Sequence, residues 1–179
     1  MDIQRLIDIA KEHGFEVAAP MDVKTLKFLP EVRDMCSADR CHSYNKSWAC
    51  PPACGTLEEI SEKCRQFTHG MLVQTVGKRE DEFDFEAIEV TNEAHKKRFN
   101  ALVKTYTDMG LNINALSAGG CTLCDKCTYP DAPCRFPQYV HPSMEASGLF
   151  VSQVCKDNNV PYYYGKDSIC FVSCFLFKD

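Results

Sequence analysis

The sequence predicts a mixed α/β or α+β fold, in which about four helices cover a central sheet and two cysteine-rich loops interrupt the regular structure. Apolar residues at helical spacing alternate along the chain with short segments rich in branched and aromatic residues. The composition, 45% hydrophobic and 25% charged, is that of a globular protein. Two long stretches, 34–55 and 119–142, fit neither helix nor strand. Loops of this length inside a compact fold need something to order them.

The predicted helices share an apolar stripe and a capping residue at one end. Thr56 and Glu59 form a capping box before the second helix, Thr91 precedes the third, and Ser143 precedes the fourth. Glu145 in the first turn of the fourth helix suits the helix dipole. We therefore predict that this helix directs its positive end toward a nearby metal centre. The four helices are predicted at 2–12, 57–68, 92–109 and 144–157.

The predicted strands lie between these helices, and the whole of 1–179 is expected to form a single domain. The last segment, from Ile169 to Phe177, is apolar on both faces and predicts an interior strand. The acidic run 80–86 is expected to be a solvated connection. The strands are predicted at 15–19, 23–29, 71–77, 111–117 and 169–177.

Composition and charge exclude several classes of protein. The net charge is −5 with no basic stripe, which argues against nucleic acid as a partner. No apolar run approaches the length of about twenty residues that a membrane span needs. The first residues lack the basic and apolar regions of a secretory signal, so we expect a cytoplasmic protein. Because cytosolic thiols stay reduced, the 12 cysteines indicate metal binding rather than disulfide bonds.

The second loop carries the strongest cofactor signal. Cys121, Cys124 and Cys127 follow two glycines at intervals of three residues, and Cys134 lies beyond them. A loop with this spacing wraps three sulfurs around one cluster, as in the bacterial ferredoxin run for a [4Fe-4S] centre. A structural zinc site and a redox dithiol of the first two cysteines are the alternatives. The crowding of three thiols in one turn favours the cluster.

The first loop holds four further cysteines, namely Cys36, Cys41, Cys50 and Cys54. Four thiols in one irregular stretch predict a second four-sulfur site, again a [4Fe-4S] cluster with zinc as the alternative. His42 is a further candidate ligand. The remaining cysteines lie on apolar stripes or in the last strand and are expected to pack in the core: Cys64, Cys155, Cys170 and Cys174.

Other cofactor motifs are absent from the sequence. A radical S-adenosylmethionine loop needs a cysteine where Leu57 stands, and a c-type haem site needs one at Ala38. There is no glycine-rich dinucleotide or phosphate-binding loop.

Several motifs together resemble a prokaryotic family of predicted metal-binding proteins, a domain of unknown function common in anaerobes. They are Cys36-x4-Cys41, Trp48-Ala49-Cys50-Pro51-Pro52, Gly119-Gly120-Cys121-x2-Cys124-x2-Cys127, Pro133-Cys134-Arg135 and the Pro142-to-Gly148 segment Pro-Ser-Met-Glu-Ala-Ser-Gly. The resemblance implies metal binding through the cysteines, but no reaction and no substrate. Cys54 is less typical of the family, which leaves the fourth ligand of the first site open.

The leading interpretation is an iron–sulfur protein with two [4Fe-4S] clusters that transfers single electrons to a redox partner protein. This interpretation favours an electron carrier over an enzyme. The first alternative is a cluster-dependent enzyme with an open iron site beside a substrate pocket. The second is a structural zinc-binding module.

Overall fold

A computed structural model describes residues 1–179, with five α-helices and four strands. Two short 3₁₀ helices, Val23–Thr25 and Met35–Ala38, flank α2. The elements in order are α1 (Ile3–Glu12), β1 (Val17–Met21), α2 (Pro30–Asp34), α3 (Leu57–Arg65), β2 (His69–Lys78), α4 (Phe85–Asp108), β3 (Asn112–Leu116), α5 (Val151–Asp157) and β4 (Ser168–Lys178). No helix is both long enough and apolar enough to cross a membrane.

The four strands form one antiparallel sheet in the order β1-β2-β4-β3. In its register Leu72 of β2 lies opposite Cys174 of β4, and Cys174 lies opposite Leu116 of β3. The mixed fold is confirmed, and β4 is the interior strand that its apolar sequence predicts. Because every pair is antiparallel, the fold is α+β rather than α/β.

Helices cover both faces of the sheet. Side chains alternate along the strands, so Val73 and Phe175 face α1 and α4, whereas Leu72 and Cys174 face α3 and α5. Each face thus buries its own apolar cluster, and the two clusters together form the core.

The predicted strand at 23–29 is wrong. Asp22 accepts a hydrogen bond from the Lys24 backbone N–H at 2.9 Å and caps a 3₁₀ turn instead. Only Phe28 makes a β-bridge, to Leu149. The branched residues of this segment therefore pack against the sheet without joining it, as Val23 and Leu26 show.

The predicted helix at 144–157 is wrong in its first half. The Ser143 hydroxyl accepts a hydrogen bond from the Ala146 N–H at 3.0 Å, but this closes a turn. Gly148 at φ +79° then reverses the chain, and the helix begins only at Val151. The seven-residue α5 has no side-chain cap. Ser143 and Glu145 therefore do not begin a helix, and the predicted dipole toward a metal centre has no structural basis.

Helix α4 is longer than predicted. It begins after Asp84, whose carboxylate accepts the Ala87 N–H at 3.1 Å, so the acidic run 80–86 ends inside the helix. Thr91 is an interior residue packed so closely against β2 that a Cβ at Gly77 would overlap its side chain. Helix α2 has no predicted counterpart, because the sequence analysis placed no helix between 12 and 57. The other helices and strands lie within a few residues of their predicted positions.

Candidate metal centre

Both cysteine-rich loops are closed at their bases by hydrogen bonds. At the second loop, the Ser117 N–H donates to the Pro142 carbonyl at 2.8 Å, and the Met144 N–H donates back to the Ser117 carbonyl at 2.9 Å. At the first loop, the Arg33 guanidinium donates to the Gly55 carbonyl and, at 2.8 Å, to the Ala146 carbonyl. Arg33 therefore ties the first loop to the segment that follows the second.

The second loop brings all four of its predicted ligands to one cavity of about 270 Å³. Each of these thiols is half-buried. Burial raises the pKa of Cys121, and the three neighbouring thiols add to this effect. The four predicted ligands among the residues of its wall are Cys121, Cys124, Cys127 and Cys134.

Hydrogen bonds reach the sulfurs of this second cavity. Burial raises the pKa of Cys127, but the N–H groups of Tyr129 and Trp48 and the hydroxyl of Ser47 outweigh it and lower the pKa below its ordinary value. The Phe136 N–H donates to the Cys134 sulfur at 3.4 Å. Donors of this kind stabilise thiolates and set the potential of a bound cluster.

The first loop also supports the second loop. The Trp48 indole N–H donates to the Ala132 carbonyl at 3.1 Å, and its ring meets Tyr129 edge-on at 4.9 Å. The Tyr129 hydroxyl donates to the Asn45 side chain at 2.8 Å. His42, which we considered for the first site, is exposed and lines the second cavity instead.

The first loop brings only three of its four predicted ligands to a common cavity. Cys36, Cys41 and Cys50 line a cavity of about 420 Å³, and Cys54 does not. Cys54 packs against the apolar core instead, with Arg33 Nη1 at 3.9 Å from its sulfur. Burial, with the neighbouring thiols Cys41 and Cys54, raises the pKa of Cys50 to about 11.

Glu145 is the residue of this cavity that the sequence analysis misplaced. The turn at Ser143 carries it to the cavity wall. The residue is exposed to solvent, but the surrounding protein raises the pKa of its carboxyl group. No cationic side chain pairs with it within 4.0 Å. Its charge also helps raise the pKa of Cys36, which lines the same cavity.

The two cavities share a wall. Gly120 lines the first cavity and directly precedes Cys121 of the second. A Cβ at Gly120 would lie 3.2 Å from the Ser43 hydroxyl, so the two loops touch here. The half-buried ammonium of Lys96 lies within electrostatic reach of Cys121 and Cys41, although burial lowers its pKa. One cation therefore faces thiols of both groups.

The other cysteines pack in the core as predicted. Three of them are fully buried, and the Asn114 amide donates to the Cys64 sulfur at 3.4 Å. Cys170 is half-buried against the same cluster, and burial raises its pKa to about 12. The three fully buried cysteines are Cys64, Cys155 and Cys174.

The thiols border cavities and do not converge on one point. No three His, Cys, Asp or Glu side chains have the arrangement that holds a single metal ion. Tetrahedral zinc requires its sulfurs about 2.3 Å from one centre. In a [4Fe-4S] cluster each thiolate binds a different iron, so the sulfurs surround a larger volume. The donor set of the second group, four thiols around one cavity, fits such a cluster.

The comparisons with known proteins agree with a metal-binding role. A family model described as "Predicted metal-binding protein (DUF2284)" matches residues 19–177, which include both loops. No curated protein and no solved structure matches the chain.

Proposed function

The chain belongs to this family of predicted metal-binding proteins, and from that premise we propose that it binds two [4Fe-4S] clusters and passes single electrons to a partner protein. The second cavity carries the proposal, because four thiols border it and backbone N–H groups donate to two of them. A bound cluster supplies one-electron chemistry at a potential set by such donors and by burial.

The shared wall supports electron transfer within the molecule. Cys41 on one side and Cys121 on the other are separated by the contact of Ser43 with Gly120. Two centres this close exchange electrons readily. Electrons then leave the protein from the second cluster, because exposed Lys126 and Arg135 line its cavity and can contact a partner. This basic rim favours an acidic patch on the redox partner.

A potentiometric titration followed by electron paramagnetic resonance tests this function. Protein purified without oxygen is reduced stepwise with dithionite. We expect one electron per cluster and a spin–spin interaction between the two reduced centres, because their sites adjoin. A protein that takes up no electrons, and shows no signal at any potential, contradicts the proposal.

One observation favours a second candidate, a cluster-dependent enzyme. The first cavity has only three thiols on its wall and is larger than the second. A cluster held there by three cysteines leaves one iron open toward the remaining space. An exogenous ligand such as cyanide should then shift the spectrum of the first cluster and leave that of the second unchanged. Two unchanged spectra would exclude this candidate.

A further inference from the structure

The first cavity has the size and lining of a small-molecule site. Its volume of about 420 Å³ exceeds the volume of about 270 Å³ of the second cavity, so a cluster of the same kind leaves space for a small ligand beside it. Apolar side chains form most of the wall, and exposed Met35 and Phe150 stand among them. The three thiols do not account for this space, since four thiols border a smaller cavity in the second loop.

The polar groups of the cavity define the charge of its ligand. Glu145 presents a carboxylate without a cationic partner. The thiolates of Cys36, Cys41 and Cys50 add negative charge when they bind metal. Arg40 is the single cation on the wall, and it is exposed. A cationic ligand therefore complements this cavity better than an anionic one.

Aromatic side chains point to the same class of ligand. Tyr44, Phe150 and Tyr162 line the cavity together with Glu145. The faces of aromatic rings attract organic cations, and several rings beside one carboxylate are typical of sites that bind amines and quaternary ammonium groups. Phe150 and Tyr162 are also partly exposed, so a ligand entering from solvent meets them first.

We propose that the first cavity binds a small organic ammonium ion with an apolar body, and that Glu145 supplies its counter-charge. Only the role of this ligand as a substrate rests on the cluster-dependent enzyme proposed above. Binding of the ligand requires the cavity alone. The ammonium group lies between the carboxylate and the tyrosine rings, and the apolar body contacts the wall formed by Val32 and Met35.

Three probes of the same shape test the charge preference on the metal-loaded protein. They are choline, its neutral isostere with a tert-butyl group in place of the trimethylammonium group, and the tert-butylacetate anion. Isothermal titration gives each affinity. We expect choline to bind at least about tenfold more tightly than the neutral isostere, and the anion to bind most weakly. Equal affinities, preference for the anion or no choline binding would overturn the proposal.

Matched variants locate the preference. Glu145→Gln keeps the shape of the side chain, and we expect it to bring choline and the neutral isostere within about twofold of each other. Glu62→Gln, an exposed change on α3, should leave the preference intact. Ser152→Phe places a ring in the cavity and should weaken both probes alike. A preference that survives Glu145→Gln contradicts the assigned counter-charge.

Iron measured on the same samples separates this inference from the proposed function. If protein without iron binds choline, the ammonium site is supported and the proposed clusters are refuted. If protein with its full iron content does not bind choline, the clusters are supported and the ammonium site is refuted. Loss of iron in Glu145→Gln shows that the carboxylate is a metal ligand, and this also overturns the inference.

Discussion

The two cysteine-rich loops differ in how many of their cysteines they bring to a common cavity. The loop after β3 places all four of its cysteines around one cavity, and hydrogen bonds reach the sulfurs of Cys127 and Cys134. The loop after α2 places three of four on a larger cavity, and Arg33 holds the fourth, Cys54, against the core. The loop after β3 surrounds its smaller cavity with four thiols, whereas the loop after α2 leaves apolar space beside its three thiols.

This difference suggests a division of labour. A cluster with four protein thiolates has no open coordination position and suits electron transfer. A cluster with three leaves one iron accessible, which suits binding of a small molecule. The contact at Gly120 would connect the two roles, since it would give electrons a short path between the proposed clusters.

Removal of a thiol from the complete site should have the largest effect. Cys124→Ala leaves three sulfurs in a cavity lined by charged side chains such as Asp125 and Lys126. This lining does not shield an open iron from water as the apolar wall of the first cavity does, so we expect the chain to lose about four iron atoms, half of its complement. Iron and sulfide assays on protein purified without oxygen measure the loss. Cys170→Ala, a change in the core outside both cavities, is the control and should keep its iron. Full iron content in Cys124→Ala would remove this residue from the ligand set.

The next comparison is within the first loop. Cys50→Ala should remove the first cluster, because Cys50 is buried on the cavity wall. The same substitution four residues later, Cys54→Ala, should retain the cluster. The Cys54 sulfur already accepts a hydrogen bond from Arg33 and does not line the cavity. Iron content and the cluster spectrum check both variants. If the two variants lose iron equally, the first site has four sulfurs and the contrast between the loops fails.

Thiol reactivity in metal-free, folded protein extends the comparison between the loops. The pKa of Cys127 is lowered by hydrogen bonds, whereas burial raises that of Cys50 to about 11. The thiolate is the reactive form, so Cys127 should react with iodoacetamide at least about tenfold faster near neutral pH. Its rate should also level off at a lower pH than that of Cys50. Mass spectrometry of peptides gives both rates, and a faster Cys50 would contradict the assignment.

The smallest expected effect concerns the serine that reaches both sites. The Ser47 hydroxyl acts to lower the pKa of both Cys127 and Cys50. A hydroxyl beside a cluster sulfur stabilises the more negative reduced cluster, so Ser47→Ala should shift both midpoint potentials downward by on the order of tens of millivolts. Ser37→Ala removes a hydroxyl that donates to the Asp34 carbonyl instead and should change neither potential. No shift, or an upward shift, in Ser47→Ala would show that the hydroxyl does not stabilise the reduced clusters.

The sequence alone predicts which thiols belong together far better than it predicts what surrounds them. Three cysteines at intervals of three residues must share a turn, so the group at Cys121 follows from local spacing. Cys54 looks like a ligand for the same reason, but its position depends on Arg33 of α2 and on core packing. The spacing of cysteines in the sequence cannot show that Arg33 and the core hold Cys54 away from the cavity.

Glu145 shows the same limit. Its segment carries a capping serine and apolar residues, which also fit a helix start. The chain turns instead at Gly148, and the turn carries the carboxylate to a cavity whose three thiols lie more than ninety residues earlier in the sequence. The interior position of β4 was predictable, because a strand apolar on both faces has to be covered on both faces. The order of the other strands was not, because it depends on long-range pairing.

The metal content of protein purified without oxygen tests the central claim most directly. We predict about eight iron and eight sulfide per chain, with absorption near 400 nm that dithionite bleaches, because we propose one [4Fe-4S] cluster in each loop. Two zinc ions per chain with no colour would contradict the account and leave a structural zinc-binding module.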